Sequence, residues 1–163
     1  MQKAQQMLKI REVFLDIVTI FLVFVLVFAF LFDLRLVTVY KNSMAPTLAD
    51  GSVHIVRLID DTESLPAVGS IVTFYTNEGK HYCKRLIGYA GDKINYTDGC
   101  LYVNGVFFDN LPGTGIHGFD EFDWEITVDY GCFFALGDNR LISLDSRDLG
   151  CFPYDGLEGE IIF

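Results

Sequence analysis

The chain changes character abruptly at about residue 33. From Val13 to Phe32 it reads VFLDIVTIFLVFVLVFAFLF, almost without a polar position. About twenty residues at about 1.5 Å each match the hydrocarbon thickness of a bilayer. No polar face interrupts the run, which argues against a buried helix of a soluble protein. Beyond it the pattern is short and alternating. Leu36–Tyr40, His54–Leu58, Ile71–Tyr75, Lys80–Tyr89, Lys93–Thr97, Cys100–Val103, Trp124–Val128, Cys132–Leu136 and Glu160–Phe163 are each rich in β-branched and aromatic residues. Turn signals separate several of them: Asn77-Glu78-Gly79, Asp98-Gly99 and Asn104-Gly105. No amphipathic helix, internal repeat or low-complexity linker stands out. The expected architecture is mainly β: an antiparallel barrel or folded-sheet domain preceded by one N-terminal transmembrane helix.

The segment Phe107–Asp123 fits neither pattern. It mixes Gly113, Gly115 and Gly118 with Phe107, Phe108, Phe119 and Phe122. It is expected as a long loop, its rings either tucked into the core or serving the bilayer or a substrate groove.

Charge fixes a direction for the apolar run. Lys3, Lys9 and Arg11 stand before it, and only the Asp33/Arg35 pair follows it; Asp16 lies in its first turn. The bias of basic residues places the N-terminus in the cytoplasm and the rest outside. A cleaved signal peptide would have a shorter apolar core and small residues at its end, whereas this run closes on Phe30-Leu31-Phe32-Asp33. The expected organisation is therefore residues 1–12 cytoplasmic, 13–34 anchor and 35–163 extracytoplasmic domain. The formal net charge is −10, and with four Lys/Arg and three Asp/Glu before Leu36 the remainder carries −11. So acidic a domain repels phosphate backbones, which argues against nucleic acid as a partner. Contact with anionic headgroups gains little from it either, so membrane contact should be apolar.

Four cysteines, Cys83, Cys100, Cys132 and Cys151, form no C-x-x-C pair and have no histidine at metal-ligand spacing. No metal or other cofactor is expected. The cysteines permit disulfides without specifying a pairing, and Cys83 is expected as a small packed residue.

Three segments carry chemistry. Asn42-Ser43-Met44-Ala45-Pro46-Thr47-Leu48 presents a serine in a short turn. It follows Arg35 by only eight positions, a reach of under about 30 Å, so Ser43 must lie close to the outer membrane surface. Tyr82-Cys83-Lys84-Arg85-Leu86-Ile87-Gly88 puts a lysine on a strand, where alternation sets Tyr82, Lys84 and Leu86 on one face and Cys83, Arg85 and Ile87 on the other. An apolar face lowers the pKa of an ammonium, which is what a lysine base needs to activate a serine hydroxyl. The third segment runs from Gly137 to Gly150 as GDNRLISLDSRDLG. There Asp145 and Arg147 can lock the loop through a charge-assisted pair, with Ser143 placed to meet an amine. Each feature alone reads as an ordinary turn or a solvated lysine; together they point to a serine hydrolase with a lysine base.

These segments resemble the type I signal peptidase family, membrane serine proteases that remove signal peptides from exported proteins. NSMAPTL is similar to the nucleophile box, HYCKRLIGYAGDKI to the lysine box and LGDNRLISLDSRDLG to the C-terminal box; DGSVHIVR and VGSIVTF resemble intervening segments in the same order. The resemblance implies a β-rich fold, no metal, and signal-peptide-bearing preproteins as substrates beside the lipid bilayer. It implies Ser43 as nucleophile, with its backbone N–H in the oxyanion hole, and Lys84 as general base. Ser143 would orient the Lys84 amine, Asp145, Arg147 and Asp138 would support the third box, and Met44 would lie beside the substrate pocket. Three departures are visible. Lys41 stands where some members carry a serine two residues before the nucleophile. Ala90-Gly91-Asp92 replaces Pro-Gly-Asp, and the stretch between the last two boxes is short. The alternatives are a dedicated processor of one partner, such as a pilus subunit, and a non-catalytic membrane-tethered binding module.

Overall fold

A computed structural model describes residues 2–31, 33–59, 65–112 and 123–162. Helix α1 spans Gln2–Leu31 and is long and apolar enough to cross a membrane, with mean hydropathy 2.9 over an eighteen-residue stretch. It begins well before Val13, because Gln2–Glu12 is built mostly from good helix formers that extend the apolar helix toward the N-terminus. Its one internal hydroxyl, Thr19 Oγ1, donates to the Leu15 carbonyl at 2.8 Å. That bond satisfies the polar atom within the helix, as an apolar solvent demands. Residues 1–35 and 36–163 form two compact units.

Among the described residues eleven strands follow: β1 Leu34–Thr38, β2 Val53–Leu58, β3 Ile71–Tyr75, β4 His81–Tyr89, β5 Lys93–Thr97, β6 Cys100–Val103, β7 Val106–Asp109, β8 Trp124–Thr127, β9 Cys132–Leu136, β10 Phe152–Pro153 and β11 Leu157–Ile162. They make two sheets. The larger runs β1-β2-β11-β3-β4-β9-β10 and the smaller β7-β6-β5-β8. The described pairings are antiparallel, so the expected antiparallel folded-sheet system is what the chain forms. The β5–β6 and β6–β7 hairpins close on Asp98-Gly99 and Asn104-Gly105, all four residues at positive φ. That is the left-handed geometry which Asn-Gly and Asp-Gly supply at tight hairpins.

Besides the unexpected strand β10 and the earlier starts of β1, β2 and β11, two elements differ from expectation. Phe107 and Phe108 belong to strand β7 rather than to a loop, because the Asn104-Gly105 turn pairs Val106 with Val103 and Phe107 with Tyr102. Gly113, Gly115, Gly118, Phe119 and Phe122 of that expected loop lie outside the described residues. A short helix, α2 Ser146–Leu149, also interrupts the third segment. Asp145 caps it by accepting from the Arg147 N–H, while the Asp148 side chain reaches back to the Asp145 N–H.

The core divides around β4. Its Tyr82 and Leu86 pack with Val72, Phe74, Phe133, Ala135 and Phe152. Phe74 is wholly buried there, its ring centroid 4.4 Å from Phe152 and 5.1 Å from Phe133 in an edge-on contact. Such aromatic pairs contribute about 0.5–1.5 kcal/mol each beyond area burial. On the other face, Ile87 joins Ile94, Tyr96 and Leu101 of the smaller sheet, while Cys83 meets a third cluster of Met44, Leu48, Val56, Ile71 and Ile161. Strand β4 is thus enclosed on both sides, and the lysine at its middle is enclosed with it.

Candidate active site

Ser43 lies in a turn at residues 41–48, where Ala45 N–H donates to the Asn42 carbonyl and Leu48 N–H to the Met44 carbonyl. Lys41 takes a left-handed φ of 68° at its start, its N–H held by Asp50 Oδ1 at 2.7 Å. Two apolar residues pin the turn from below: Met44 and Leu48 are buried in the cluster of Val39, Val56, Ile71 and Ile161. Met44 was expected beside a substrate pocket. It is 0% exposed, its flexible side chain packed beneath the turn. Ser43, immediately before the first of these anchors, remains half-buried.

Lys84 reaches this turn from β4, where it pairs with Val72 of β3. Only 2% of it is exposed, yet its Nζ lies 2.7 Å from Ser43 Oγ. Burial pulls the ammonium below the ordinary lysine range. The carboxylates of Asp145 and Asp138 and the neighbouring Cys83 oppose that shift, while the Arg147 guanidinium adds to it. Tyr82, two residues back on the same face, holds its ring centroid 5.5 Å from Nζ. Cys83 points the other way into the apolar cluster, and burial pushes its thiol up to about 12. It is a packed, inert cysteine; none of the four cysteines is bridged.

The third segment closes over both residues. Asn139 N–H donates to the Ser43 carbonyl at 3.0 Å, and Ser143 N–H donates to the Asn139 carbonyl at 3.0 Å. Asp138 meets Arg85 in a two-pronged ion pair, with Nε to Oδ1 at 2.7 Å, and also accepts from the Thr47 hydroxyl. One carboxylate therefore ties the serine turn, the lysine strand and the third segment together. Asp145 is 0% exposed and binds Arg147 through Nε at 2.9 Å and Nη2 at 3.0 Å, while Oδ2 accepts the Gly137 N–H at 3.0 Å. Arg147 Nη2 also donates to the Arg140 carbonyl at 2.7 Å.

Gly137 is where these pieces touch. A Cβ there would fall 2.1 Å from Ser143 Oγ and 2.5 Å from the Ser43 carbonyl oxygen, so no side chain fits. Ser143 Oγ is buried in this contact and makes no hydrogen bond among the described residues. The expected bond between Ser143 and the Lys84 amine is therefore not formed here; the Lys84 bond goes to Ser43.

Sequence reasoning missed four members of the assembly. Arg85 and Thr47 hold Asp138, and Arg140, whose side chain is 0% exposed, donates to Asp109 through Nη2 at 2.6 Å and to the Gly137 carbonyl through Nε at 2.9 Å. Alternation along β4 separates Arg85 from Lys84 but names no partner 53 residues away. Asp109 ends a strand that was read as loop. Two cavities lined by described residues bear on the site. The larger, about 400 Å³, sits among Trp124–Asp129, Phe134 and Ser146–Cys151 and includes neither Ser43 nor Lys84. The smaller, about 290 Å³, is lined by Arg140–Leu144, Arg147 and Asp148, beside the catalytic candidates. Size alone would pick the wrong one; the serine–amine contact marks the site. Among the described residues no group of side chains has metal-binding geometry.

An antiparallel β domain with a serine hydroxyl against a buried, uncharged-leaning amine belongs to the class of serine hydrolases that use lysine as base. Comparison with known proteins agrees and is narrower. The family described as signal peptidase, peptidase S26, matches residues 10–163. A signal peptidase I of Bacillus caldolyticus is 36% identical over 134 residues, covering 75% of this chain and 74% of that protein. Signal peptidase IB of Staphylococcus aureus strain COL is 33% identical over 170 residues, covering 94% and 89% respectively. A crystal structure of a signal peptidase I from Enterococcus faecalis V583 superimposes with a TM-score of 0.51 at 30% identity, over 61% of this chain and 98% of that one. The chain belongs to the signal peptidase family, peptidase S26, whose members are membrane-anchored serine endopeptidases.

Proposed function

We propose that this chain removes signal peptides from exported preproteins at the outer membrane surface, with Ser43 as nucleophile and Lys84 as general base. The observation that carries the reading is the 2.7 Å contact between the Lys84 amine and the Ser43 hydroxyl. The contact serves either proton arrangement. With Lys84 charged, Nζ donates to Oγ; once Lys84 is neutral, Oγ–H donates to the Nζ lone pair and is poised for transfer. Burial makes the neutral form accessible.

In the reaction Oγ bonds to the scissile carbonyl carbon as its proton passes to Lys84, and the Ser43 N–H supports the developing oxyanion. Lys84 returns the proton to the leaving amine, and water then resolves the acyl-enzyme. Ser143, buried against Gly137 with its lone pairs unpaired, takes up the amine as it charges and is a positioning residue. Asp138, Asp145 and Arg147 keep the three segments in register. Substrate lies extended beside the serine turn, its small residues on the acyl side. The anchor at residues 13–34 leaves 1–12 in the cytoplasm and 35–163 outside, so a preprotein tethered by its own apolar segment meets Ser43 at the bilayer.

The test is cleavage of a model preprotein with an Ala-x-Ala site by the full chain in detergent. Product from the parent and none from Ser43→Ala or Lys84→Ala supports the reading. Equal product from all three contradicts it.

A further inference from the structure

The tripeptide Gly-Cys-Phe occurs twice in the β domain, at Gly131-Cys132-Phe133 and Gly150-Cys151-Phe152. Folding lays the two copies side by side. Strand β10 pairs antiparallel with β9, Phe152 opposite Phe133 and Pro153 opposite Cys132. Alternation then sorts the side chains by face. Both phenylalanines turn into the cluster around Phe74, while both cysteines pack against the cluster of Ile94, Tyr96 and Leu101. On that shared face the Cys151 thiol comes into hydrogen-bond contact with the Cys132 thiol. The other two cysteines are placed elsewhere: Cys83 packs with Met44 and Leu48, and Cys100 sits opposite Thr97 in the β5–β6 hairpin.

The geometry points to Cys132 and Cys151 as a disulfide-forming pair that closes the third segment into a covalent ring. Between the two cysteines lies all of Gly137–Gly150, with Ser143, Asp145 and Arg147. Hydrogen bonds alone hold this segment on β9 in the thiol form, among them Ala135 N–H donating to Ser146 Oγ at 3.0 Å and Gly137 N–H donating to Asp145 Oδ2 at 3.0 Å. The bond would add a covalent tie where the chain leaves α2 and rejoins the sheet. A diagonal pair across two strands is wider than a direct one, so the sulfurs must draw together to bond. Each cysteine follows a glycine with a φ of 78°, and Cys151 stands just outside β10. The backbone can therefore give at both points without breaking the β9–β10 pairing.

Both cysteines are partly exposed, and Cys151 lines the larger cavity, so a small reagent can reach the pair. Burial, and after it the Cys132 thiol, push the Cys151 thiol up to about 11. So weakly acidic a thiol resists chance oxidation, and the bond forms by exchange with another disulfide, of glutathione or of a protein oxidant. One cysteine, as thiolate, attacks a sulfur of that disulfide and releases its first thiol. The second cysteine attacks the mixed disulfide, forms the Cys132–Cys151 bond and releases the other thiol. Two electrons and two protons pass to the oxidant, which leaves as two thiols. An oxidising extracytoplasmic setting favours that direction; the setting, though not the pairing, rests on the orientation proposed above.

The experiment incubates the full chain in detergent with oxidised or reduced glutathione in mildly alkaline buffer, blocks the remaining thiols and maps the peptides by mass spectrometry. The expected oxidised product joins Cys132 to Cys151 and leaves Cys83 and Cys100 free. Separate glutathione adducts on Cys132 or Cys151, a bridge through Cys100, or four free thiols overturns the proposal. Thermal unfolding of the same samples is the second arm. Closing a ring of about twenty residues restrains the unfolded chain, so the oxidised form should melt about 5 °C or more above the reduced one. That gain should vanish in Cys151→Ser. Equal melting temperatures of the bridged and reduced forms would overturn the stapling of the third segment. Neither readout needs catalysis, so this inference and the proposed proteolysis fail separately.

Discussion

Asp138 grips Arg85, the residue next to Lys84, in a two-pronged ion pair whose Nε–Oδ1 distance is 2.7 Å. Because Arg85 and Lys84 face opposite sides of β4, the pair fixes the strand's height without touching the amine that meets Ser43. The same carboxylate accepts from Thr47, so the position of the serine turn depends on it as well. Asp138→Ala strips the partner from a largely buried guanidinium. It should cost about 2–3 kcal/mol and lower activity with it, read as thermal unfolding in detergent beside cleavage rate. An unchanged melting temperature would show that the tie carries no stability.

Gly137 is expected to reject every side chain. Gly137→Ala forces a methyl into the Ser143 hydroxyl and the Ser43 carbonyl. The third segment must lift from the serine turn, for about 1–3 kcal/mol of stability and a larger proportional loss of cleavage. Cleavage at the parental rate would mean the two segments are not held as closely as the structure has them.

Activity should rise with pH through a limb set by Lys84. Burial holds its amine below the ordinary lysine range, so the neutral base appears at lower pH than a solvated lysine, near 10.4, would give. Asp145 is the strongest influence in the opposite direction. Asp145→Asn, which retains a cap for α2, should move the limb to still lower pH. A limb in the ordinary lysine range, or no movement in Asp145→Asn, would contradict the assignment.

The same burial is a cost to folding. The unfolded chain binds more protons at Lys84 than the folded one between the folded pKa and the ordinary value, so stability rises with pH across that window. Lys84→Met should therefore be inactive yet more stable than the parent at neutral pH, and the advantage should shrink as pH approaches the ordinary lysine value. Thermal unfolding across that pH range checks the sign; a destabilised Lys84→Met would mean the amine's contacts outweigh its desolvation.

Much of this was legible in the sequence, for reasons that differ by element. Strands β3, β5, β6 and β9 have the expected ends because Gly, Asn and Asp turns bracket them closely. The facing of Lys84 followed from alternation along β4. Strand β7 was lost because its aromatic residues run straight into a glycine-rich stretch, and α2 because four residues carry no helical period. The packing of Met44 was not legible for a physical reason: a methionine beside a reactive serine can point out or down, and its place among Val39, Leu48, Val56, Ile71 and Ile161 is set by tertiary structure. The ties of Asp138 to Arg85 and of Arg140 to Asp109 span 53 and 31 residues. No local pattern encodes either pairing.

The central claim is that Lys84 makes Ser43 the nucleophile. Its most direct test is mass spectrometry of the full chain after reaction with an activated acyl peptide ending in Ala-x-Ala. The account predicts one acyl group on Ser43 in the parent and none in Lys84→Ala. Acylation elsewhere, or equal acylation of Ser43 without Lys84, would contradict it.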